Sequence, residues 1–154
     1  MNDPLIETWQ IHNRINLYLL AAVAPEALGS VAASKGRSVG EQFAHLHNVR
    51  LMWLKAARPE LLAGLAKIEK EAAGESARLQ EALEASGAAV AELLRHAAAN
   101  GGMVKGFKPH VWAFLGYLVS HESHHRGQIA LTLKLNGHAL DKKVGYGLWE
   151  WGVR

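Results

Sequence analysis

The chain has 154 residues, enough for one compact core, so a single domain spanning 1–154 is expected. It contains no cysteine, which excludes disulfides, thiolate ligands and a cysteine nucleophile and leaves histidine, carboxylate or water for any metal. The net charge of +3 comes from 17 Lys and Arg scattered among 14 Asp and Glu, with no dense basic stripe, so no nucleic-acid partner is expected.

The N-terminal MNDPLIETWQ has no basic region followed by an apolar one. No apolar run approaches the roughly 20 residues of a membrane helix, and a soluble cytoplasmic protein without membrane contact is the expectation. Apolar residues make up 49% of the chain, rich in Ala and Leu and poor in β-branched types, a composition that favours helices.

Ile11, Ile15, Tyr18, Leu19 and Ala22 recur at helical spacing and predict a first helix over about residues 4–23, ended by Pro25. Residues 24–37 mix Pro, Gly, Ser and Ala without a period and read as a connection. Ser38 to Glu41, S-V-G-E, fits a capping box and opens a second helix through Phe43, Leu46, Val49 and Trp53 that stops before Pro59. Residues 60–71 are weakly patterned. Gly74 to Ser76 start a third helix that turns Leu79, Leu83, Val90 and Leu94 inward and ends at Asn100, Gly101 and Gly102. Pro109 suits the first turn of a fourth helix running to Asn136 and closed by Gly137. The tail from His138 to Arg154, with Trp149 and Trp151, is expected to pack on the rest. Four amphipathic helices and no alternating strand predict an all-α, up-down four-helix bundle, with Gly40, Gly87 and Gly116 as local weak points.

The stretch HESHHRGQIA, residues 121–130, contains H-E-x-x-H. At about 100° per residue His121 and His125 fall in the apolar stripe of Val111, Phe114, Leu118, Ile129 and Thr132, and His124 points along the flank. Two imidazoles one turn apart suit two nitrogen ligands to one cation, or two core histidines with hydrogen-bonded partners. A third ligand is available on the second helix as His45 or His47, which lie on opposite sides of its apolar face; periodicity does not choose between them. A zinc peptidase of the HExxHxxGxxH kind is not supported, because Gln128 and Leu131 stand at the glycine and final histidine positions. A di-iron site is not supported either: it needs a second E-x-x-H and two more inward glutamates, and Glu41 is assigned to the cap.

Two stretches carry a family resemblance. SVGEQFAHLHNVRLMWL, residues 38–54, and HESHHRGQIALTLKLNG, residues 121–137, resemble the second-helix and H-x-x-x-H-R-G-Q segments of the DinB/YfiT-like family of four-helix-bundle metal-binding proteins, DinB here meaning the DNA-damage-inducible protein. The resemblance implies a three-histidine metal site made of His45, His121 and His125, with a coordination position left open as in a catalytic site. Zinc comes first among the ions, and nickel, iron or manganese also suit imidazole ligands.

The family includes thiol-dependent S-transferases and isomerases, so the resemblance points to a metal-dependent enzyme, a thiol S-transferase or a hydrolase, acting on a small molecule with a low-molecular-weight thiol. The alternative is a non-enzymatic, stress-related or partner-binding bundle whose metal is structural. Glu122 is read as a solvated or hydrogen-bonded residue ahead of a catalytic base, Arg126 and Gln128 as residues that orient the helix, and a homodimer as the assembly.

Overall fold

The structure, a computed structural model, describes residues 3–154. Helix α1, Pro4–Ala21, starts where Asp3 accepts the Leu5 N–H at 2.9 Å and where Pro4 has no N–H to leave unpaired. Helix α2, Val39–Ala57, is capped by the Ser38 hydroxyl, which accepts the Glu41 N–H at 3.1 Å. Only this half of the predicted capping box forms, since the Glu41 carboxylate faces Lys70 at 3.9 Å. Helix α3 is Ser76–Ala99 and ends at Asn100 as expected.

Helix α4, Val111–Leu135, begins later than predicted. His110 is its cap, with Nδ1 accepting the Ala113 N–H at 3.2 Å, and Pro109 therefore lies outside the first turn. Gly137, at φ +79°, takes the left-handed turn that closes the helix.

Helix directions follow from the two apolar clusters. The end of α1 (Leu19, Leu20), the starts of α2 and α3 (Phe43, Leu79, Leu83) and the end of α4 (Ile129, Leu133) share one cluster. The start of α1 (Leu5, Trp9), the ends of α2 and α3 (Leu54, Val90, Leu94) and the start of α4 (Phe114, Leu118) share the other. The four-helix bundle is thus present with the order up-down-down-up, and α2 and α3 run in the same direction.

A parallel pair needs a connection as long as the helix itself, about 28 Å for 19 residues at 1.5 Å each. That explains the weak pattern of residues 60–71: they lie in a strap, residues 58–75, with short 3-10 turns at Pro59–Leu62 and Lys70–Ala72. Asn48 holds the strap by accepting the Ile68 N–H at 2.9 Å and donating to the Ile68 carbonyl at 3.0 Å. At Gly40 a Cβ would lie 1.9 Å from the Ala73 carbonyl oxygen, so this interior glycine lets the strap's end touch α2. Gly87 is likewise explained by contact, because a Cβ there would meet the Asn13 side chain at 2.4 Å. Nothing in the structure explains Gly116.

The tail does pack, through Trp151, which is half-buried, but not through Trp149. After α5, Lys142–Gly147, the chain makes a last turn at Trp151–Val153. Leu140 and Leu148 rest on the first cluster, and the Arg154 guanidinium lies 3.7 Å from the centre of the Tyr18 ring. Trp149 is 81% exposed. Among the described residues no helix is long and apolar enough to cross a membrane.

Candidate metal centre

Between the two apolar clusters lies a polar layer. Arg50 of α2 donates from Nε to Glu122 Oε2 at 2.8 Å and from Nη2 to Oε1 at 2.7 Å. Its Nη1 donates to the Leu83 carbonyl and the Ser86 hydroxyl of α3, and the guanidinium covers the Trp9 ring of α1. Asn16 donates to Glu122 Oε1 at 2.8 Å, and His12 Nε2 lies 3.0 Å from the same oxygen. A proton on that nitrogen leaves His12 Nδ1 to accept from Arg126, 3.3 Å away. Arg126 also donates to Asn16 Oδ1 at 2.7 Å and to Ser123 at 3.0 Å, the orienting role expected of it.

This network changes two inward faces. In α4 the buried residue is Glu122, at 1% exposure, whereas His121, expected in the apolar stripe, is half-buried at its edge. In α1 the buried polar residues are His12, Asn13 and Asn16, of which His12 and Asn16 join this network, while Ala22 at the helix end is exposed. Burial is the largest influence on the Glu122 carboxyl and acts to raise its pKa, but Arg50 and His12 together hold it well below the usual range. Glu122 is a hydrogen-bonded, fixed charge, engaged on both oxygens. His12, Asn16 and Arg50 were missed in the sequence; the one visible signal is that His12 and Asn16, i and i+4, stand three or seven residues from the inward Leu5, Trp9 and Leu19.

Along the neighbouring stripe of α4 the histidines converge. His45 of α2 and His121 and His125 of α4 each offer a ring nitrogen, and the three nitrogens lie within 4.8 Å of one another. The ring centroids are 5.3 Å apart for His45 and His121, 4.7 Å for His45 and His125, and 4.8 Å for His121 and His125. The cluster is compatible with a metal site.

Gln42, buried one turn before Leu46, places its Oε1 3.1 Å from His125 Nδ1. A carbonyl oxygen only accepts, so Nδ1 carries the proton and Nε2 keeps a free lone pair. His121 Nδ1 is buried without a hydrogen-bond partner among the described residues, a state that costs about 1–3 kcal/mol unless something fills it.

The rings are also in the protonation state a ligand needs. Burial, helped by the nearby Arg37 and His121, pushes His45 down to about 4, and burial with the neighbouring histidines and Arg37 pushes His125 down to about 4. Burial lowers His121 as well, against the opposing charge of Glu122. An orphaned nitrogen, a fixed tautomer and three neutral imidazoles fit a divalent cation.

The remaining histidines stand apart. His124 is exposed on the flank, as expected. His47, which periodicity could not separate from His45, is fully buried away from the cluster, its Nε2 2.7 Å from the Ala66 carbonyl in the strap and its Nδ1 3.1 Å from the Ala82 carbonyl in α3.

Fold and site together define an all-helical bundle with a candidate three-histidine metal centre between its second and fourth helices. The chain belongs to the DinB family, whose sequence model matches residues 1–143. The match takes in both histidine-bearing segments and ends within α5. Comparison with curated proteins and with solved structures gave no match.

Proposed function

We propose that the protein is a metal-dependent enzyme in which His45, His121 and His125 hold one divalent ion, zinc ahead of nickel, iron or manganese. We propose further that it acts on a small molecule by S-transfer from a low-molecular-weight thiol or by hydrolysis. The observation that carries this reading is the convergence of three neutral ring nitrogens from two helices within 4.8 Å, one residue of the three with a buried nitrogen that nothing else satisfies. Three histidines leave a tetrahedral ion one position for an exchangeable ligand, the arrangement of catalytic sites.

When bound, such an ion supplies Lewis-acid activation of a thiol or a water molecule. The chain supplies the rest. Gln42 keeps the proton of His125 on Nδ1, and burial keeps the other rings unprotonated at neutral pH. Glu122 stays locked to Arg50, so it is not offered as the general base.

Metal analysis of protein purified without a histidine tag tests the site. One equivalent is expected in the wild type and His47→Ala, and less than about a tenth of that in His45→Ala, His121→Ala or His125→Ala. Undiminished metal in His121→Ala and His125→Ala would sink the assignment. Screening the loaded protein against electrophiles with several small thiols tests the activity. Chelation should abolish the reaction found; a chelator that only lowers the melting temperature supports the non-enzymatic bundle instead.

A further inference from the structure

A groove of about 370 Å³ runs between the turn that precedes α2 and the second half of α4, with Ser34, Lys35, Arg37, Gln42, Gln128 and Thr132 as its polar lining. Two of these side chains are cations and none is an acid. Gln42 is also the residue that holds His125, so the groove adjoins the histidine cluster. On the other flank a second depression, about 340 Å³, includes His45 and is again bordered by Arg37. Its lysines are matched, Lys67 with Glu69 at 3.4 Å and Lys70 with Glu41 at 3.9 Å. Arg37 and Lys35 have no ion-pair partner among the described residues.

The backbone also sets these two cations in place. Lys35 adopts φ +68° and Gly36 φ +103°, in a turn closed by the Lys35 N–H and the Ala32 carbonyl at 2.9 Å. A lysine in the left-handed region is uncommon, and such strain persists where surrounding structure requires it. Arg37 borders both depressions, the one that includes His45 and the one that includes Gln42, the partner of His125. The histidines bring no negative charge, and the carboxylate beneath them, Glu122, is already paired with Arg50. The groove is therefore lined by two cations and no acid, and no ion pair among the described residues engages either cation.

We propose that this groove receives an oxyanion group of the substrate, carboxylate or phosphate, with Arg37 as its main partner and Lys35 and Gln128 beside it, so that the enzyme's substrate is a small organic anion. Calling the ligand the substrate rests on the metal-site reading above; the anion site itself does not. Arg37 suits the role because its planar fork donates two parallel hydrogen bonds to either group. Ser34 and Thr132 can donate further hydrogen bonds from the walls.

The test is titration of the metal-free and the metal-loaded protein with succinate, inorganic phosphate and the neutral succinamide, followed by ¹⁵N NMR of backbone and side-chain N–H signals. Saturable shifts confined to residues 34–37 and the Gln42 and Gln128 amides are expected for succinate, phosphate or both, and none for succinamide. Which of the two binds tells carboxylate from phosphate. Arg37→Gln should weaken binding roughly tenfold or more, as the loss of a charge-assisted pair implies. Lys105→Gln, which removes an equal charge elsewhere, should leave it unchanged. Equal affinity in wild type and Arg37→Gln, shifts centred elsewhere, or no binding of either anion would overturn the proposal. Metal content separates the two claims: anion binding without metal binding in the wild type refutes the metal reading alone, and metal binding without anion binding refutes this one alone.

Discussion

His121 and Glu122 are consecutive residues of α4, and each heads a polar cluster of opposite character. Around Glu122 every strong donor has an acceptor: Arg50, His12 and Asn16 close on its two oxygens, and Arg126 closes on Asn16. Around His121 the reverse holds, with a buried nitrogen unpartnered and only His125 tied, through Gln42, to the protein. Burying polar groups is unfavourable in both places, but one cluster satisfies itself and the other leaves room for a ligand. A self-satisfied network contributes to stability and register, whereas an unsatisfied one is where binding is to be sought.

The largest test of this contrast breaks the sealed side. Glu122→Gln leaves Arg50 as an uncompensated buried charge and should lower unfolding free energy by about 3–5 kcal/mol in urea denaturation. The folded fraction should still bind one equivalent of metal. Wild-type stability in this variant would show that the network is not what holds the layer together.

A smaller effect is expected on the open side. Gln42→Leu removes the acceptor that fixes His125 and should weaken metal affinity about 10- to 100-fold, measured by competition with a chelator. An unchanged affinity would mean that packing alone orients the ring.

A further effect, spread over a range of acid conditions, is the pH dependence of the metal-free protein. His45 and His125 take up protons near pH 4 when folded and near their ordinary 6.5 when unfolded. Between those values the unfolded chain binds more protons, so stability is unaffected above about pH 6.5 and declines as pH falls towards 4. Denaturation midpoints across this range should fall less steeply in His45→Gln and His125→Gln. Ring C–H resonances of either histidine titrating near 6.5 in the folded wild type would contradict the desolvated cluster.

Much of this was legible in the sequence. The four helices and their stops follow from apolar spacing with Pro25, Ser38, Pro59, Asn100 and Gly137, because caps and breakers act within a few residues. The pair His121 and His125 could be seen from i, i+4 spacing. The choice of His45 over His47 could not: what separates them is that His47 finds carbonyls at Ala66 and Ala82, 19 and 35 residues away. Only the family resemblance made that choice.

Glu122 was hidden for the same reason. The sequence leaves Glu122 as solvated or hydrogen-bonded, and only Arg50 and His12, 72 and 110 residues distant, decide for the second. The up-down-down-up order was latent in the length and weak pattern of the strap, which only made sense once α2 and α3 were seen to start in the same apolar cluster.

The H-E-x-x-H-R stretch can finally be read as two rails, one residue out of phase. His121 and His125 form the first, Glu122 and Arg126 the second, and each rail is bound to a different part of the bundle. A turn of α4 about its own axis that moved a histidine away from His45 would at the same time pull Glu122 off Arg50 or Arg126 off Asn16. The ion network therefore acts as a key for the helix's rotational setting: a substitution far from the histidines, at His12 or Ser86, can detune the cluster without touching it.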